Sequence, residues 1–265
     1  MPRAISIAEP LDLGPFRRPM QAIPARVEAA IAKGVVQGPD LPFTGAARLL
    51  DPGADGITDI VIRNSDGMLV VCCLTDMPGN TPEMWDWWFG WHSVSSERYK
   101  LWHPEDHVAS SVSEDRRTRP NLRDRYIGID SYVDERIASP EVVKLTISFR
   151  HPATFGLDEA KLDTIGTAIC ARVGLRGSPL NTGRLIHLIR RTSTGSEMLS
   201  RFWLGDIEAQ IPLIGGVLSP LLNTRSRRLQ LLPDQMGLNL LLHCAKEMNH
   251  LAGILPELHA KFATP

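Results

Sequence analysis

The chain has 265 residues, and its 29 basic side chains nearly balance its 30 acidic ones. That length can bury a substantial core, in one large domain or in a domain with a small extension. Nucleic acids and anionic membranes usually need a basic excess or a basic block, so the balanced charge argues against both partners. No run approaches the ~20 apolar residues that span a bilayer, and the four cysteines have no CxxC spacing. We therefore expect a cytoplasmic protein with reduced thiols.

The N-terminal region is rich in proline, with seven of the twenty prolines among the first 42 residues. Proline fixes φ and has no N–H donor, so we predict an extended segment with a short helix at residues 25–32. Residues 1–50 are interpreted as an N-terminal extension, either an arm for subunit association or a flexible tail. Residues 51–265 are interpreted as the main domain.

A strand-like pattern begins near residue 57. The segments 58–63 and 68–74 flank Asn64-Ser65-Asp66-Gly67, a hairpin turn in which Asp-Gly tolerates positive φ. Pro82 then opens a helix. Further β-branched or alternating segments predict strands at 126–137, 142–149, 164–173, 184–191 and 197–204.

The chain closes with a long helical pattern that begins at Asp234 and runs to about Lys261, with Pro256 as a point where it could kink. Strands that follow one another without βαβ alternation imply an antiparallel sheet, and a long terminal helix must then cover one face. We predict an α+β helix-grip fold, in which a curved antiparallel sheet wraps the C-terminal helix and leaves a cavity between them.

Aromatic residues and histidines concentrate between Met84 and His107, which hold five of the six tryptophans and three of the eight histidines. Tryptophan supplies flat apolar area, and imidazole supplies metal ligation and proton transfer. A tryptophan-rich core helix is the plainer explanation for any one of these residues. The clustering instead favours an aromatic-walled pocket with chemistry at its mouth.

The final helix carries His243, Glu247 and His250, whose spacing of four and then three residues puts them on one face. Two ligands one turn apart can chelate a divalent cation, although a simple His/Glu hydrogen bond is the ordinary reason for such a pair. The neighbouring side chains are apolar, so part of this stripe should face inward. A carboxylate placed inward needs a cation or dense hydrogen bonding to offset its desolvation.

Other ligands must come from elsewhere in the chain. His107 is the first choice and His103 its rival, while Glu135 is the best acidic complement. Two imidazoles and two carboxylates suit zinc, with Mn²⁺ or Fe²⁺ as alternatives, and the lack of a cysteine ligand favours a catalytic site over a closed structural one. His187 is a lone histidine on an apolar strand, which by itself indicates a core residue. The chain has no Gly-x-Ser-x-Gly elbow, P-loop or Gly-x-Gly-x-x-Gly turn.

These residues resemble the 2,4-diacetylphloroglucinol hydrolase and phloretin hydrolase family. The stretches that carry the resemblance are Trp-Asp-Trp-Trp-Phe-Gly-Trp-His (85–92), Tyr-Lys-Leu-Trp-His-Pro-Glu-Asp-His (99–107), Tyr-Val-Asp-Glu (132–135), Ser-Arg-Phe-Trp-Leu-Gly (200–205) and His-Cys-Ala-Lys-Glu (243–247). The resemblance implies a helix-grip fold related to the Bet v 1 and START proteins, with the smaller N-terminal part used in subunit association. It also implies a homodimer or higher homo-oligomer, and a zinc enzyme that cleaves the bond between an acyl group and a phloroglucinol ring.

The family's zinc ligands carry over onto His107, Glu135, His243 and Glu247. The resemblance further implies catalytic roles for Tyr99 and His187, the second against its interpretation as a core residue. Trp88 and Phe202 join Tyr99 as expected contacts of a small aromatic substrate. The family's second substrate-contacting tyrosine has no secure match; if the 200–205 stretch holds that position, Phe202 lacks the hydroxyl.

The expected chemistry starts from a ring tautomer that is protonated at the acyl-bearing carbon, so that bond cleavage releases an enolate and not an aryl carbanion. Zinc would activate water and polarise an oxygen of the substrate. His187 or a metal-linked carboxylate would shuttle protons, and Tyr99 would hydrogen-bond an oxygen of the substrate. The alternatives are a non-catalytic helix-grip carrier of hydrophobic ligands, or a metal-dependent cyclase or decarboxylase acting on phenols.

Overall fold

The computed structural model describes residues 4–53 and 56–263 of the chain. The strands in these ranges are β1 (Ile60–Arg63), β2 (Leu69–Pro78), β3 (His107–Val112), β4 (Asp130–Arg136), β5 (Val142–Arg150), β6 (Gly166–Leu175), β7 (Leu180–Thr192) and β8 (Gly195–Ala209). The helices are α1 (Ala25–Lys33), α2 (Pro82–His92), α3 (Ser96–Trp102), α4 (Glu159–Ile165), α5 (Gly215–Leu222), α6 (Arg225–Leu231) and α7 (Asp234–Phe262).

The eight strands form one antiparallel sheet in the order β1-β2-β8-β7-β6-β5-β4-β3. Hairpins join most neighbours, and Gly67 has φ +85° in the turn between β1 and β2, as predicted from Asp66-Gly67. The chain crosses from β2 to the far edge of the sheet through α2 and α3, so β3 becomes an edge strand. The predicted α+β helix-grip arrangement is confirmed.

Helix α7 lies against one face of the sheet because a narrow apolar stripe runs along its whole length. Its buried members recur every three or four residues: Leu241, Cys244, Met248, Leu251, Leu255 and Leu258. The helix continues through Pro256, which interrupts neither the stripe nor the helical assignment. This face of the sheet and α7 enclose the larger apolar cluster of the protein, together with α2.

A second apolar cluster covers the opposite face of the sheet, where Leu49, Leu50 and the segment around Phe155 and Leu162 pack. Both faces of the central strands are therefore buried. Cys72 belongs to this second cluster and Cys73 to the first, so the two adjacent thiols point to opposite faces, as expected for neighbours on a strand. All four cysteines are free and buried.

The N-terminal region packs against the body of the protein. Val27 on α1 is fully buried, and isolated bridges join Ile5 to Val112 and Val36 to Ile62. The short predicted helix is present as α1, one residue longer than expected. The division into residues 1–50 and 51–265, and the use of the first part in subunit association, stay predictions. Among the described helices, none combines the length and the apolar character that crossing a membrane requires.

One strand was not predicted, and two predicted strands begin later than expected. Residues 107–112 form β3, which the sequence pattern did not indicate. The predicted strand at 126–137 is shorter, because residues 123–125 form a 3-10 turn and β4 begins only at Asp130. The predicted strand at 164–173 begins at Gly166, because Asp158 caps α4 by accepting from the Lys161 N–H and that helix runs to Ile165.

Candidate active site

The polar stripe of α7 lies beside its apolar stripe and is buried with it. His243, Glu247 and His250 are 3%, 7% and 1% exposed. His243 Nε2 and Glu247 Oε2 are 3.8 Å apart, one helical turn from each other. His250 does not join them in a group that could hold a metal, and neither of its ring nitrogens has a hydrogen-bond partner among the described residues.

The turn from α3 into β3 brings His107 to this stripe. The His107 ring stacks on Tyr99 at a centroid distance of 3.8 Å, and its Nδ1 donates to the Tyr99 carbonyl oxygen at 3.0 Å. A carbonyl can only accept, so the opposite nitrogen, Nε2, carries the lone pair. His107 Nε2 lies 3.4 Å from Glu247 Oε2.

Glu135 reaches the same point from β4. Its Cα is paired with that of His107 across the β3–β4 ladder, and its Oε2 lies 3.8 Å from His107 Nε2. The Tyr99 hydroxyl donates to this Oε2. Pairing of β3 with β4 therefore fixes His107 and Glu135 relative to each other. Helix α7 supplies the other histidine and glutamate.

The donor atoms fit a single small cation. His107, His243 and Glu247 each offer one ligand atom, and these atoms lie within 4.8 Å of one another. Zinc bonds of about 2.0–2.2 Å in a tetrahedron place ligand atoms about 3.3–3.6 Å apart, close to the 3.4 Å and 3.8 Å separations observed. His107 Nε2 is buried and without a hydrogen-bond partner among the described residues, as a free ligand nitrogen would be.

The electrostatics of the group also favour a cation. Burial raises the pKa of the Glu247 carboxyl to about 8, although the charge on His243 opposes it, and burial raises the pKa of Glu135. Burial disfavours a charged His243, but Glu247, the hydrogen bond to Asp106 and Glu135 together raise its pKa to about 9. Burial and the neighbouring His243 hold the pKa of His107 well below its usual value. Two buried carboxylates thus draw positive charge to this point, either a proton on His243 or a metal ion.

The group opens into a cavity of about 500 Å³ between the sheet and α7. Its wall is mostly apolar, as in typical small-molecule sites, and the few polar groups include Tyr99, Glu135, His243 and Glu247. His187 on β7 lines the same cavity from the centre of the sheet.

His187 is held by its neighbour on β8. The two Cα atoms of His187 and Ser200 are paired, and His187 Nδ1 is 2.8 Å from Ser200 Oγ. Burial lowers the pKa of His187 to about 3, so its imidazole is neutral at physiological pH. Phe202 lies edge-on to this ring at 5.5 Å.

The aromatic wall differs from the prediction. Phe202 and Tyr99 line the cavity, but Trp88 does not; it is fully buried and stacks on His92 at 4.8 Å. Trp102 is the tryptophan that reaches the cavity, with Phe89 beside it. Trp88 and most of the tryptophan-rich stretch form core because α2 is buried between the sheet and α7.

Two polar residues that the sequence analysis did not single out belong to this region. Ser200 had no sequence signal, since only the strand register pairs it with His187. Asp106 precedes His107, and its Oδ2 accepts from His243 Nδ1 at 3.2 Å and lies 3.3 Å from His103 Nε2. His103 therefore groups with Asp106 and His243, whereas His107 groups with His243 and Glu247. The assignment of His107 and not His103 as the metal ligand stays a prediction.

Comparison with known proteins identifies the family of the chain. A family model described as the DAPG hydrolase PhiG domain matches residues 41–260. A phloretin hydrolase from Eubacterium ramulus is 33% identical over 255 residues, which cover 93% of this chain and 88% of that protein. The chain belongs to the DAPG hydrolase family. The resemblance inferred from the sequence is confirmed, and membership in this family makes the protein a hydrolase.

Two further comparisons show lower similarity. A 2,4-diacetylphloroglucinol hydrolase from Pseudomonas protegens is 28% identical over 196 residues, which cover 71% of this chain and 63% of that protein. A solved protein from Chromobacterium violaceum covers 61% of this chain and 96% of its own at 16% identity, with a TM-score of 0.29. A similarity that low carries no argument about this protein.

Proposed function

We propose that the protein is a zinc-dependent hydrolase that cleaves the carbon–carbon bond between an acyl group and a phloroglucinol-type ring, releasing a carboxylic acid. The observation that carries the proposal is the buried group of His107, His243 and Glu247, whose ligand atoms lie within 4.8 Å of one another. Glu135 lies beside His107, and an apolar cavity adjoins the group. Relatives named as hydrolases of phloretin and 2,4-diacetylphloroglucinol supply the substrate class.

The four ligand residues have a mixed donor set of two imidazoles and two carboxylates, which suits zinc in a catalytic site. When bound, zinc supplies Lewis acidity that polarises a substrate oxygen and makes water a better nucleophile. The apolar wall excludes bulk water and leaves the polar contacts of the substrate to a few groups at this end of the cavity.

Hydrolysis requires a proton at the ring carbon that loses the acyl group. Water adds its oxygen to the acyl carbon, the ring carbon keeps the electron pair of the broken bond, and the phloroglucinol-type product leaves with a C–H in place of the acyl group. In the tautomer in which Nδ1 donates to Ser200 Oγ, the neutral imidazole of His187 can take a proton at Nε2 from a ring hydroxyl and return it to the ring.

Tyr99 has a different part in the proposal. Burial and the adjacent Glu135 raise the pKa of its hydroxyl well above the usual value, so it remains a proton donor. In the described structure this hydroxyl donates to Glu135. We assign it to holding that carboxylate and to donating a hydrogen bond to the acyl or phenolic oxygen of the substrate.

The direct test is a substrate panel with metal-loaded protein. Phloretin, monoacetylphloroglucinol and 2,4-diacetylphloroglucinol are incubated with it, and the products are separated by chromatography. We expect a carboxylic acid and a phloroglucinol-type product with about one zinc per chain. The double variant His243→Ala, Glu247→Ala should remain folded and lose both metal and activity.

Two outcomes would contradict the proposal. Ligand binding without product from zinc-loaded protein would leave the alternative of a carrier, which the apolar cavity also suits. Full zinc occupancy in the double variant would show that His243 and Glu247 are not zinc ligands.

A further inference from the structure

A carboxylate outside the proposed ligand set lies directly behind His243. Asp106 is in the turn between α3 and β3, and its side chain is 15% exposed. Its Oδ2 accepts a hydrogen bond from His243 Nδ1 at 3.2 Å. An ionised carboxylate has no proton to give, so Nδ1 of His243 carries a hydrogen. When the ring is neutral, as it must be to bind a metal, Nε2 then carries the lone pair. That lone pair is on the Glu247 side, where Nε2 and Oε2 are 3.8 Å apart.

His107 is also oriented with its Nε2 toward Glu247, but by a different hydrogen-bond acceptor. His107 Nδ1 donates to the backbone carbonyl of Tyr99 at 3.0 Å, and its Nε2 faces Glu247. Both imidazoles thus present Nε2 because an oxygen stands behind each Nδ1. The acceptor behind His107 is backbone and cannot be removed by substitution, whereas the acceptor behind His243 is a side chain.

His103 completes the arrangement from the far side of Asp106. The backbone N–H of Asp106 donates to His103 Nδ1 at 3.1 Å, so that nitrogen uses the one lone pair of a neutral imidazole. Its Nε2 therefore carries a proton. This nitrogen lies 3.3 Å from Asp106 Oδ2 without hydrogen-bonding geometry, so the contact between them is electrostatic. The His103 ring stacks on that of His243 at 5.1 Å, nearly parallel.

This pattern decides between two interpretations of the three residues. His103, Asp106 and His243 offer atoms close enough together to hold a metal of their own. His103 Nδ1 already accepts from the Asp106 N–H, so a metal on His103 Nε2 would require lone pairs at both nitrogens of that ring. A metal on His243 Nδ1 would require the same of His243 if its Nε2 also binds the proposed zinc. Neither is available to a neutral imidazole, so hydrogen bonding accounts for the cluster better than a second cation.

We propose that Asp106 is a positioning residue that fixes the tautomer and ring orientation of His243 and thereby sets the affinity of the site for zinc, with His103 holding Asp106 in place. The proposal rests on the metal site of the proposed function. It concerns metal affinity, however, and not the identity of the substrate. Carboxylates that accept from a ligating histidine typically contribute ~10–100-fold to metal affinity.

The test measures zinc affinity in Asp106→Ala and Asp106→Asn. Protein stripped with a chelator is titrated with zinc in competition with a chromophoric chelator, and thermal unfolding of the stripped protein checks the fold. We expect the apparent dissociation constant to rise ~10–100-fold in Asp106→Ala and less in Asp106→Asn, whose amide oxygen can still accept from Nδ1. The matched control is Glu105→Gln, which removes the neighbouring charge from a side chain that is 59% exposed and faces Lys246. Its affinity should stay within about twofold of the wild type.

Several results would overturn the proposal. Wild-type zinc affinity in a folded Asp106→Ala variant would do so, and so would an equal loss in Glu105→Gln. Two zinc ions per wild-type chain, falling to one in the Asp106 variants, would assign the cluster to a second cation. If the wild type binds zinc but hydrolyses no acylphloroglucinol, the proposed reaction fails while the affinity comparison still decides the role of Asp106. If Asp106→Ala does not fold, Asp106→Asn carries the test, and a zinc dissociation constant no higher than that of Glu105→Gln would then overturn the proposal.

Discussion

A single imidazole at the centre of the sheet is the residue on which the proposed proton transfer depends. His187 is 3% exposed, and its Nδ1 is engaged by Ser200. Its strong desolvation explains why it stays neutral, since burial disfavours the charged ring. A neutral imidazole in a cavity wall can accept and return a proton, whereas a permanently charged one could only donate.

We expect His187→Ala to keep its zinc and lose turnover. His187 contributes no ligand to the proposed metal group, and loss of a general acid or base typically lowers kcat by ~10²–10⁴-fold. Steady-state kinetics on a cleaved acylphloroglucinol and zinc content measured on the same preparation check this. A His187→Ala variant with nearly wild-type kcat would return His187 to the role of a core residue.

Tyr99→Phe should also retain metal, because the ring that stacks on His107 is kept and only the hydroxyl is lost. Glu135 then loses its hydrogen-bond donor. Removing one donor aimed at developing negative charge typically costs ~10²–10³-fold in kcat, so a loss of that size would support contact with the substrate oxygen. Unchanged kcat with weaker zinc binding would instead limit Tyr99 to holding Glu135.

Asp86 supplies a pH-dependent contribution to stability away from the proposed site. Its Oδ1 accepts from the hydroxyls of Tyr126, at 2.6 Å, and Thr167, at 3.0 Å. Burial nonetheless raises its pKa from 3.8 to about 6. The folded state therefore binds a proton at Asp86 more readily than the unfolded chain does, and this difference adds to the free energy of unfolding. The added stability is present in full below pH 4 and is lost as the pH rises through about 6. A shift of about two pKa units corresponds to ~3 kcal/mol.

We expect Asp86→Asn to remove that pH dependence, since the amide oxygen can accept from both hydroxyls and does not ionise. Urea unfolding between pH 4 and 7 should show the stability of the wild type falling relative to the variant by ~3 kcal/mol. Asp124→Asn, which removes a charge from an exposed residue, is the control and should keep the wild-type slope. Parallel curves for Asp86→Asn and the wild type would contradict the prediction.

At the scale of elements, the sequence predicted most strands but not β3, the one that begins with a proposed ligand. The residues before it, Pro104, Glu105 and Asp106, read as a helical turn, and the strand itself is a short run with Ser110 and Ser111. What makes it a strand is pairing with β4, which local propensity does not encode. The stripe on α7 was predictable because it depends only on helical periodicity. The roles of Asp106 and Ser200 were not, because each depends on contacts between distant segments.

The close approach of α7 to the sheet depends on Gly237. A Cβ at this position would meet Val61 Cγ1 at 2.6 Å, and Val61 is buried on β1. Gly237→Ala should therefore destabilise the protein by ~1–3 kcal/mol through overpacking, although alanine is the better helix former.

The matched control for this prediction lies on the same helix. At Gly253 the three atoms nearest to a Cβ would all belong to the side chain of Gln21, an exposed residue whose far end can move away. Gly253→Ala should be neutral or stabilising by up to ~1 kcal/mol. Denaturant unfolding of both variants checks this. Equal changes in the free energy of unfolding at the two positions would show that helix propensity, and not the close approach to β1, determines the effect.

For the whole molecule, the proposed metal group connects parts of the chain that are remote in sequence. His107 starts an edge strand, Glu135 lies on the next strand, and His243 and Glu247 come from the C-terminal helix that covers the sheet. A cation at this point would hold the free edge of the sheet against α7. Without a cation, two carboxylates remain buried at the same point, and protons must offset their charge.

Zinc should therefore stabilise the whole fold and not only the cavity. A ligand that binds only the folded state at 1,000 times its dissociation constant adds ~4 kcal/mol, and a domain of this size gains ~2–4 °C per kcal/mol. Stripped protein should thus melt roughly 8–16 °C below zinc-saturated protein in scanning calorimetry. Glu247→Gln keeps the shape of the side chain and removes its charge, so its melting temperature should rise far less on adding zinc. An equal rise in the variant and the wild type would mean that zinc stabilises the protein from another position.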